Sequence, residues 1–446
     1  MARVLPFRGY RYNAEKVKDP VAVVSPPYDV VSDELRRELH GRHPHNVIRL
    51  ILGEDRPQDD ATENRYVRAR HHFQEWEKTG VIIRDPSPVF YVYEQEYPWR
   101  WEERRVRTGL IAAVGLEEYG GGVIYPHEQT FPGPKADRLR LMQALPVSLE
   151  QIFCFYPGPS EPIRSMLRRT TQEQPLWDFA DEGSIRHRLW LLDDSAVIAD
   201  LVMAFRDRPL FIADGHHRYE SALTFREQMR HTDPCDGPDR AYHFVMTTLI
   251  SIEDEGLTVL PTHRLVRTSR RPGEILAVLE PHFHIEERLL GDGERGIQKC
   301  LDEVEDRGAH AHVFGLYTGG DKVSLLTLKD PQLAREIAEA GHSHPRGTLD
   351  VVILERLVFQ RLLNLGDAEG ITFTPDGNVA LQEVRSGRAH AAFFLNPIPA
   401  ARIVEVVATG ERLPPKSTYF YPKLLSGLVF FKIDQSEVLD VSEEFL

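Results

Sequence analysis

The sequence predicts an α/β protein with mixed sheets, and three features point to it. A short apolar run, Pro209 to Ala213, leads directly into Asp214-Gly215 and then a helix-patterned stretch ending near Arg230. Two β-rich runs, 89–97 and 106–116, are joined by a short polar loop, as in an antiparallel pair. Helix-period and strand-period segments alternate through the rest of the chain, which is the pattern of helices packed on sheets. At 446 residues the chain exceeds one compact core and implies two or three lobes. We expect an N-terminal domain over 1–250 carrying the DGHHRY motif, and a C-terminal domain over 251–446 carrying the KSTYFYPK loop.

Taken in order, residues 22–31 read as an extended segment, because Pro26-Pro27 fixes two φ angles and disfavours helix. Ser32 has the chemistry of an N-cap, with Asp33 and Glu34 in the first turn behind it. Residues 60–79 form an amphipathic helix with Tyr66, Ala69, Phe73 and Trp76 on one face and Gly80 as its stop. Three prolines and a glycine break the pattern over 126–140, which reads as an irregular loop rich in ionisable side chains. In the strand–turn–helix at 208–230, Tyr219, Ala222, Leu223 and Met229 supply the apolar helix face. Further on, 313–328 reads as a hairpin around Thr318-Gly319-Gly320-Asp321, and 348–364 as a helix ending near Gly366. Residues 391–395 read as a strand, 414–424 as a Pro-bounded polar and aromatic loop, and 428–433 as an apolar run.

The net charge of −14 argues against DNA as a partner, since a nucleic-acid surface must neutralise phosphates. A small anion held by a few local cations is compatible with that charge. The three cysteines, Cys154, Cys235 and Cys300, are far apart and form neither a disulfide framework nor a zinc ribbon. The start MARVLPFRGYRYN has no apolar signal-peptide core, and no apolar run is long enough to span a bilayer. A cytoplasmic location and no membrane partner are therefore expected; a homo-oligomer is compatible.

The chemistry concentrates at Asp214-Gly215-His216-His217-Arg218. A helix N-terminus offers unsatisfied N–H groups and the positive end of the macrodipole, so anions bind there. Gly215 allows close backbone approach, and Arg218 suits two-pronged contact with a phosphate. Asp214 would orient a neighbour or hold Mg²⁺. An N-capping Asp214 accounts for the aspartate alone and leaves the three cation-capable residues after it unexplained. In 127–138, His127 and Glu128 are candidate general bases, and Lys135 and Arg138 candidate phosphate ligands. A solvated loop laced with ion pairs is the equal alternative. Lys416, Ser417 and Lys423 lie in a stiff loop between Pro415 and Pro422, either as ligand contacts or as solvated neighbours of buried aromatics. His263 and Arg264 follow a β-like run, and a His-Arg pair at a strand end could face the same cleft; alone the signal is weak and a structural role is favoured. No Walker-type GxxxxGK[ST], GxGxxG, HExxH or GxSxG pattern occurs, which disfavours P-loop kinases, Rossmann dehydrogenases, zincins and α/β-hydrolases.

Together, PPYDVV at 26–31, HEQT with GPKADRLRL at 127–141, ADGHHRYESA at 213–222, PTHRL at 261–265 and PKSTYFYPKLLSGL at 415–428 resemble the DUF1015 family nearly end to end. One departure is Glu150-Gln151-Ile152-Phe153, where the family reads like SPIF. Over about ten residues, DGHHRYESA is also similar to the phosphate-binding turn of the ParB and sulfiredoxin-like superfamily, which includes free serine kinases. That resemblance implies a ParB/sulfiredoxin-like nucleotide-binding core with an additional α/β lobe. It makes Gly215, His216, His217 and Arg218 phosphate ligands and implies a nucleotide, ATP or ADP, with Mg²⁺.

The expectation is a phosphotransferase acting on a small hydroxyl metabolite of the serine or phosphoserine class. Glu128 is the first candidate base, His127 and Asp214 assist, and Lys135, Arg138 and Lys416 stabilise transferred charge. Tyr28, Asp29, His263, Arg264, Ser417 and Lys423 are candidate substrate contacts. Two alternatives are a nucleotide-binding regulatory protein with little turnover, and a metal-dependent phosphohydrolase built on His127, Glu128, His216 and His217.

Overall fold

Buried runs of aliphatic and aromatic residues build the first sheet. The computed structural model describes residues 2–100, 103–291, 294–339, 344–365 and 370–439. Among these, nine strands join in one mixed sheet: β1 (Val4–Leu5), β2 (Phe90–Pro98), β3 (Arg104–Gly115), β4 (Ile124–Pro126), β5 (Ile152–Tyr156), β6 (Trp177–Ala180), β7 (Arg186–Leu192), β8 (Leu210–Asp214) and β9 (Phe244–Ser251). The order is β4-β8-β5-β9-β3-β2-β7-β6, with β1 on β3. The expected antiparallel pair is β2 and β3, in register from Tyr91 with Ile111 to Pro98 with Arg104. Two neighbours run parallel, β8 with β4 and β9 with β5. Every residue of β5 and β9 is buried, as expected of strands covered on both faces.

The chain forms two units that do not follow a single cut. The first holds 1–126, 130–257 and 422–446; the second holds 127–129 and 258–421. The C-terminal segment joins the first unit because Tyr10 and Phe430 exchange backbone hydrogen bonds, as do Ser25 and Ser426. Residues 127–129 join the second because the His127 carbonyl accepts from Leu413 N at 2.8 Å.

Helix α1 (Asp33–Arg42) is capped as expected, with Ser32 accepting from Leu35 N. Helix α2 (Arg65–Lys78) starts five residues later than the pattern suggested, because Asn64 accepts from both Tyr66 N and Val67 N and so sets the cap. Its Ala69, Phe73 and Trp76 are buried, and Gly80 follows with a left-handed φ of 68°.

Two local readings are corrected. Residues 22–31 are not extended throughout: Pro20–Ala22 and Tyr28–Val30 are 3₁₀ turns, which proline in the lead position permits. The presumed loop at 126–140 is largely helix α3 (Pro132–Ala144). Pro132 stands at its first position, where the missing N–H costs nothing. The strand–turn–helix forms as read, β8 leading through Gly215 into α4 (His216–Thr232).

The second unit carries β10 (His263–Val266), β11 (Phe283–Leu289), β12 (Val313–Tyr317), β13 (Lys322–Leu328), β14 (Ile371–Thr374) and β15 (Ala391–Phe394). They form an antiparallel sheet in the order β11-β13-β12-β15-β10-β14. The hairpin at 313–328 and the strand at 391–394 are as expected. Helices α5 (Glu294–Gly308), α6 (Gly377–Arg385) and α7 (Ala400–Ala408) belong to this unit, and Ile297, Val304, Val313, Leu325, Leu381 and Phe394 share one core. The expected helix at 348–364 is helical but irregular: one α-turn, Asp350–Ile353, passes into a π-helix, Leu354–Leu362. Gly366 lies outside the described residues. The 414–424 segment is not all loop, because Tyr419–Tyr421 pairs with Thr258–Leu260. No helix among the described residues is long and apolar enough to cross a membrane, and all three cysteines are free thiols. The fold is mixed α/β.

Candidate functional site

The turn after β8 owes its shape to a bulge and a glycine. Ile212 pairs with Cys154, but Asp214, not Ala213, pairs with Phe153. The extra residue re-aims the end of the strand, as bulges beside sites do. Gly215 then takes φ 94° as the N-cap of α4, with no side chain capping the helix. A Cβ at Gly215 would sit 3.1 Å from Arg218 Nε, Arg218 Nη2 and Ile152 Cδ1.

Arg218 folds back over this turn. Its Nη1 donates to the Gln151 carbonyl at 2.8 Å and its Nη2 to Asp214 Oδ2 at 3.3 Å. Its Nε is buried without a hydrogen-bond partner. Lys423 Nζ approaches the other Asp214 oxygen at 3.3 Å. Burial works to raise the Asp214 pKa, but Lys423, Arg218 and His216 outweigh it and hold it at about 2. The neighbouring Asp29 goes the other way: burial and the negative charge of Asp214 raise its pKa, against the pull of Arg218 and Lys423. Two nearby carboxylates with pKa values pushed apart are a recurrent acid–base arrangement. Burial likewise opposes the Arg218 charge, and Glu150, Asp214 and Asp29 restore it.

Glu150 organises the surroundings. Its Oε1 accepts from Tyr28 N at 3.1 Å and from Ser426 Oγ at 3.3 Å. Arg138 Nη1 is 3.4 Å from Oε2, and the Arg138 guanidinium lies 4.1 Å from the centre of the Tyr28 ring. Arg138 also pairs with Asp137 at 2.5 Å.

The remaining candidates of this unit are fastened nearby. His216 is buried. His217 Nε2 accepts from Phe131 N at 2.9 Å, and its ring stacks on that of Phe131. Lys135 pairs with Glu220 on α4 at 2.9 Å.

A family model described as a protein of unknown function, DUF1015, matches residues 4–352. The chain belongs to the DUF1015 family. No curated protein matches it. Distant likenesses exist among solved structures. A free serine kinase mutant in complex with ADP is 10% identical, with 71% of this chain and 90% of that chain covered at a TM-score of 0.33. A conserved hypothetical protein from Pyrococcus furiosus is 11% identical over 67% and 89%, at 0.30. SbnI with a C-terminal truncation, from Staphylococcus aureus, is 10% identical over 71% and 85%, at 0.33.

In this DUF1015 protein the residues singled out from sequence fall into two groups. Tyr28, Asp29, Lys135, Arg138, Asp214, Gly215, His216, His217, Arg218 and Lys423 belong to the first unit. His127, Glu128, His263, Arg264, Lys416 and Ser417 belong to the second. There, His127 Nε2 is 2.8 Å from Thr418 Oγ1, and Glu128 Oε1 accepts from Lys416 N at 3.2 Å. Lys416 has a left-handed φ of 56°, and Ser417 Oγ donates to the Pro414 carbonyl. Arg264 Nη1 donates to the Lys416 carbonyl at 3.0 Å, and burial lowers its pKa to about 10 against Glu355 and Glu128. His263 is buried in β10, where Nδ1 accepts from Leu395 N at 3.3 Å. Burial, helped by Arg264, pushes its pKa down to about 3.

Sequence reasoning missed Glu150 and Gln151, which contact Arg218 beside the 214–218 turn. The available signal was the departure of 150–153 from the resemblance noted in the sequence.

Proposed function

We propose that this protein is a phosphotransferase moving a phosphoryl group between a nucleotide, ATP or ADP, and a small hydroxyl metabolite of the serine or phosphoserine class. The observation that carries the reading is the junction of β8 and α4, a helix start with no side-chain cap beside Arg218 and Lys423. A helix N-terminus favours an anion, and the buried Arg218 Nε without a partner is a donor that a phosphate would satisfy.

In this reading Asp214 stays ionised and orients Arg218 and Lys423. Asp29, with its raised pKa, takes the proton from the acceptor hydroxyl. Glu128 is the base proposed from sequence, and Asp29→Asn and Glu128→Gln measured side by side decide between them. His216 and His217 line the start of the helix, and Tyr28 contacts substrate. Arg138 acts through Glu150 as a positioning residue. Lys135, His127, His263, Arg264 and Ser417 have the weaker claim, their side chains being engaged with protein partners, and Lys416 is held in the second unit through its backbone N–H and carbonyl. The oxygens of Asp214 suit Mg²⁺, which takes one or two carboxylates together with substrate phosphates and would neutralise charge on them. Among the described residues no group of three or more His, Cys, Asp or Glu side chains is set to hold a metal.

The test is thermal denaturation of the full chain with ATP, ADP and AMP, with and without Mg²⁺, followed by turnover assays. A ligand at a hundred times its Kd stabilises by about 2.7 kcal/mol. That stabilisation should vanish in Arg218→Ala. Nucleotide binding without turnover would favour the regulatory reading, and no stabilisation by any nucleotide would remove both.

A further inference from the structure

Phe131 stands at the N-cap of α3. Its side chain is 51% exposed, the most exposed phenylalanine among the described residues. A lone exposed apolar side chain is ordinary and needs no explanation. This one is different because it is held in place. Its backbone N–H donates to His217 Nε2 at 2.9 Å. The two rings then stack, with centroids 6.1 Å apart and planes 23° from parallel, as offset aromatic pairs do. The segment that carries the ring is tied to α4 at three further points. Thr130 Oγ1 donates to Glu220 Oε2 at 2.6 Å, Lys135 Nζ reaches the same oxygen at 2.9 Å, and Ser221 Oγ donates to the Lys135 carbonyl at 3.0 Å. His217 is the second residue of α4, so the Phe131 ring stands one side chain away from the helix start and Gly215.

A helix start and an arginine recognise phosphate and leave the rest of a nucleotide unread. A planar base gains by covering an aromatic ring, and every base has a face that can do so. A ring that is already ordered spares the ligand the entropy of fixing it. Phe131 meets both conditions: His217 supports one face, and the exposed part of the ring is open to a second planar group. We propose that Phe131 is the platform on which the nucleobase stacks when the phosphates occupy the 214–218 turn. The assignment rests on the nucleotide reading above and deepens it, by giving the base a site that the helix start does not provide. His217 then supports the base subsite, and the phosphates fall to the helix start and Arg218.

The test is calorimetric titration of the full chain with ADP and with inorganic pyrophosphate, which carries two phosphates and no base. Phe131→Ala should weaken ADP binding by roughly tenfold or more and leave pyrophosphate binding unchanged. Phe131→Tyr, which keeps an aromatic face, should bind ADP as the parent does. Without ligand both variants should melt with the parent, since the ring is half-exposed. If the parent binds neither ADP nor pyrophosphate, the nucleotide reading fails and the platform falls with it. If the parent binds ADP and Phe131→Ala binds it equally well, the platform alone is overturned. The same holds if Phe131→Ala loses pyrophosphate to the same extent as ADP, or if Phe131→Tyr loses as much affinity for ADP as Phe131→Ala does.

Discussion

The carboxylate of Glu150 stands between two arginines. Its Oε2 is 3.4 Å from Arg138 Nη1 and its Oε1 is 3.9 Å from Arg218 Nη1. Through it the Tyr28 turn, α3 and α4 share one buried charge network, in which Asp137 also pairs with Arg138 and Asp214 with Arg218.

Glu150→Gln should therefore destabilise the fold strongly. The amide can still accept from Tyr28 N, but it takes one of two counter-charges from each largely buried guanidinium, leaving Arg138 with Asp137 and Arg218 with Asp214. Removing one partner of such a group costs about 3 kcal/mol. Urea denaturation of the variant against the parent measures it, and a change under 1 kcal/mol would mean that the network is solvated.

Gly215→Ala should damage the turn without emptying it of charge. A left-handed φ costs a residue with a Cβ about 1–2 kcal/mol, and the added methyl would press on Arg218. Stability should drop by that amount, and nucleotide-induced stabilisation should shrink with it. Full stabilisation by nucleotide in this variant would argue against close approach of phosphate to the Gly215 backbone.

The acid limb of the turnover profile should lie above the ordinary aspartate value of 3.8, because burial and Asp214 raise the Asp29 pKa. A base must be deprotonated to act, so the rate should fall as pH drops through that raised value. Asp29→Asn should remove turnover while nucleotide stabilisation persists. An Asn variant of normal activity would return the role to Glu128.

His263 should make the second unit sensitive to acid. Its folded pKa is pushed from 6.5 to about 3 by burial, with Arg264 adding to it. The unfolded chain takes up a proton as pH falls below 6.5, while the folded protein does not until about 3. Stability is therefore lost across that window, by at most about 1.4 kcal/mol per pH unit from this group. His263→Gln should flatten the dependence between those limits, as urea midpoints measured at several pH values would show. An unchanged slope would mean that the ring is hydrated.

Local pattern carried much of the fold into view from sequence. The pairing of 90–98 with 104–115, the hairpin at 313–328 and the strand–Gly215–helix junction each depend on residues close together in the chain. The misreadings have local causes too. Prolines at 132 and 134 resemble loop punctuation until one sees them in a first helical turn. The Pro26-Pro27 pair excludes α-helix but leaves a 3₁₀ turn open at Tyr28.

What the sequence determined by itself was the mixed α/β class and a helix start armed with Asp214, Gly215 and Arg218, because propensity, φ restriction and periodicity act over a few residues. Tertiary structure decided which charges meet. Asp29 and Lys423 reach Asp214 from the two ends of the chain, and Glu150 becomes the shared anion of Arg138 and Arg218. Burial makes such pairings strong and shifts their pKa values, and burial belongs to the packed sheet and helices rather than to any short stretch of sequence.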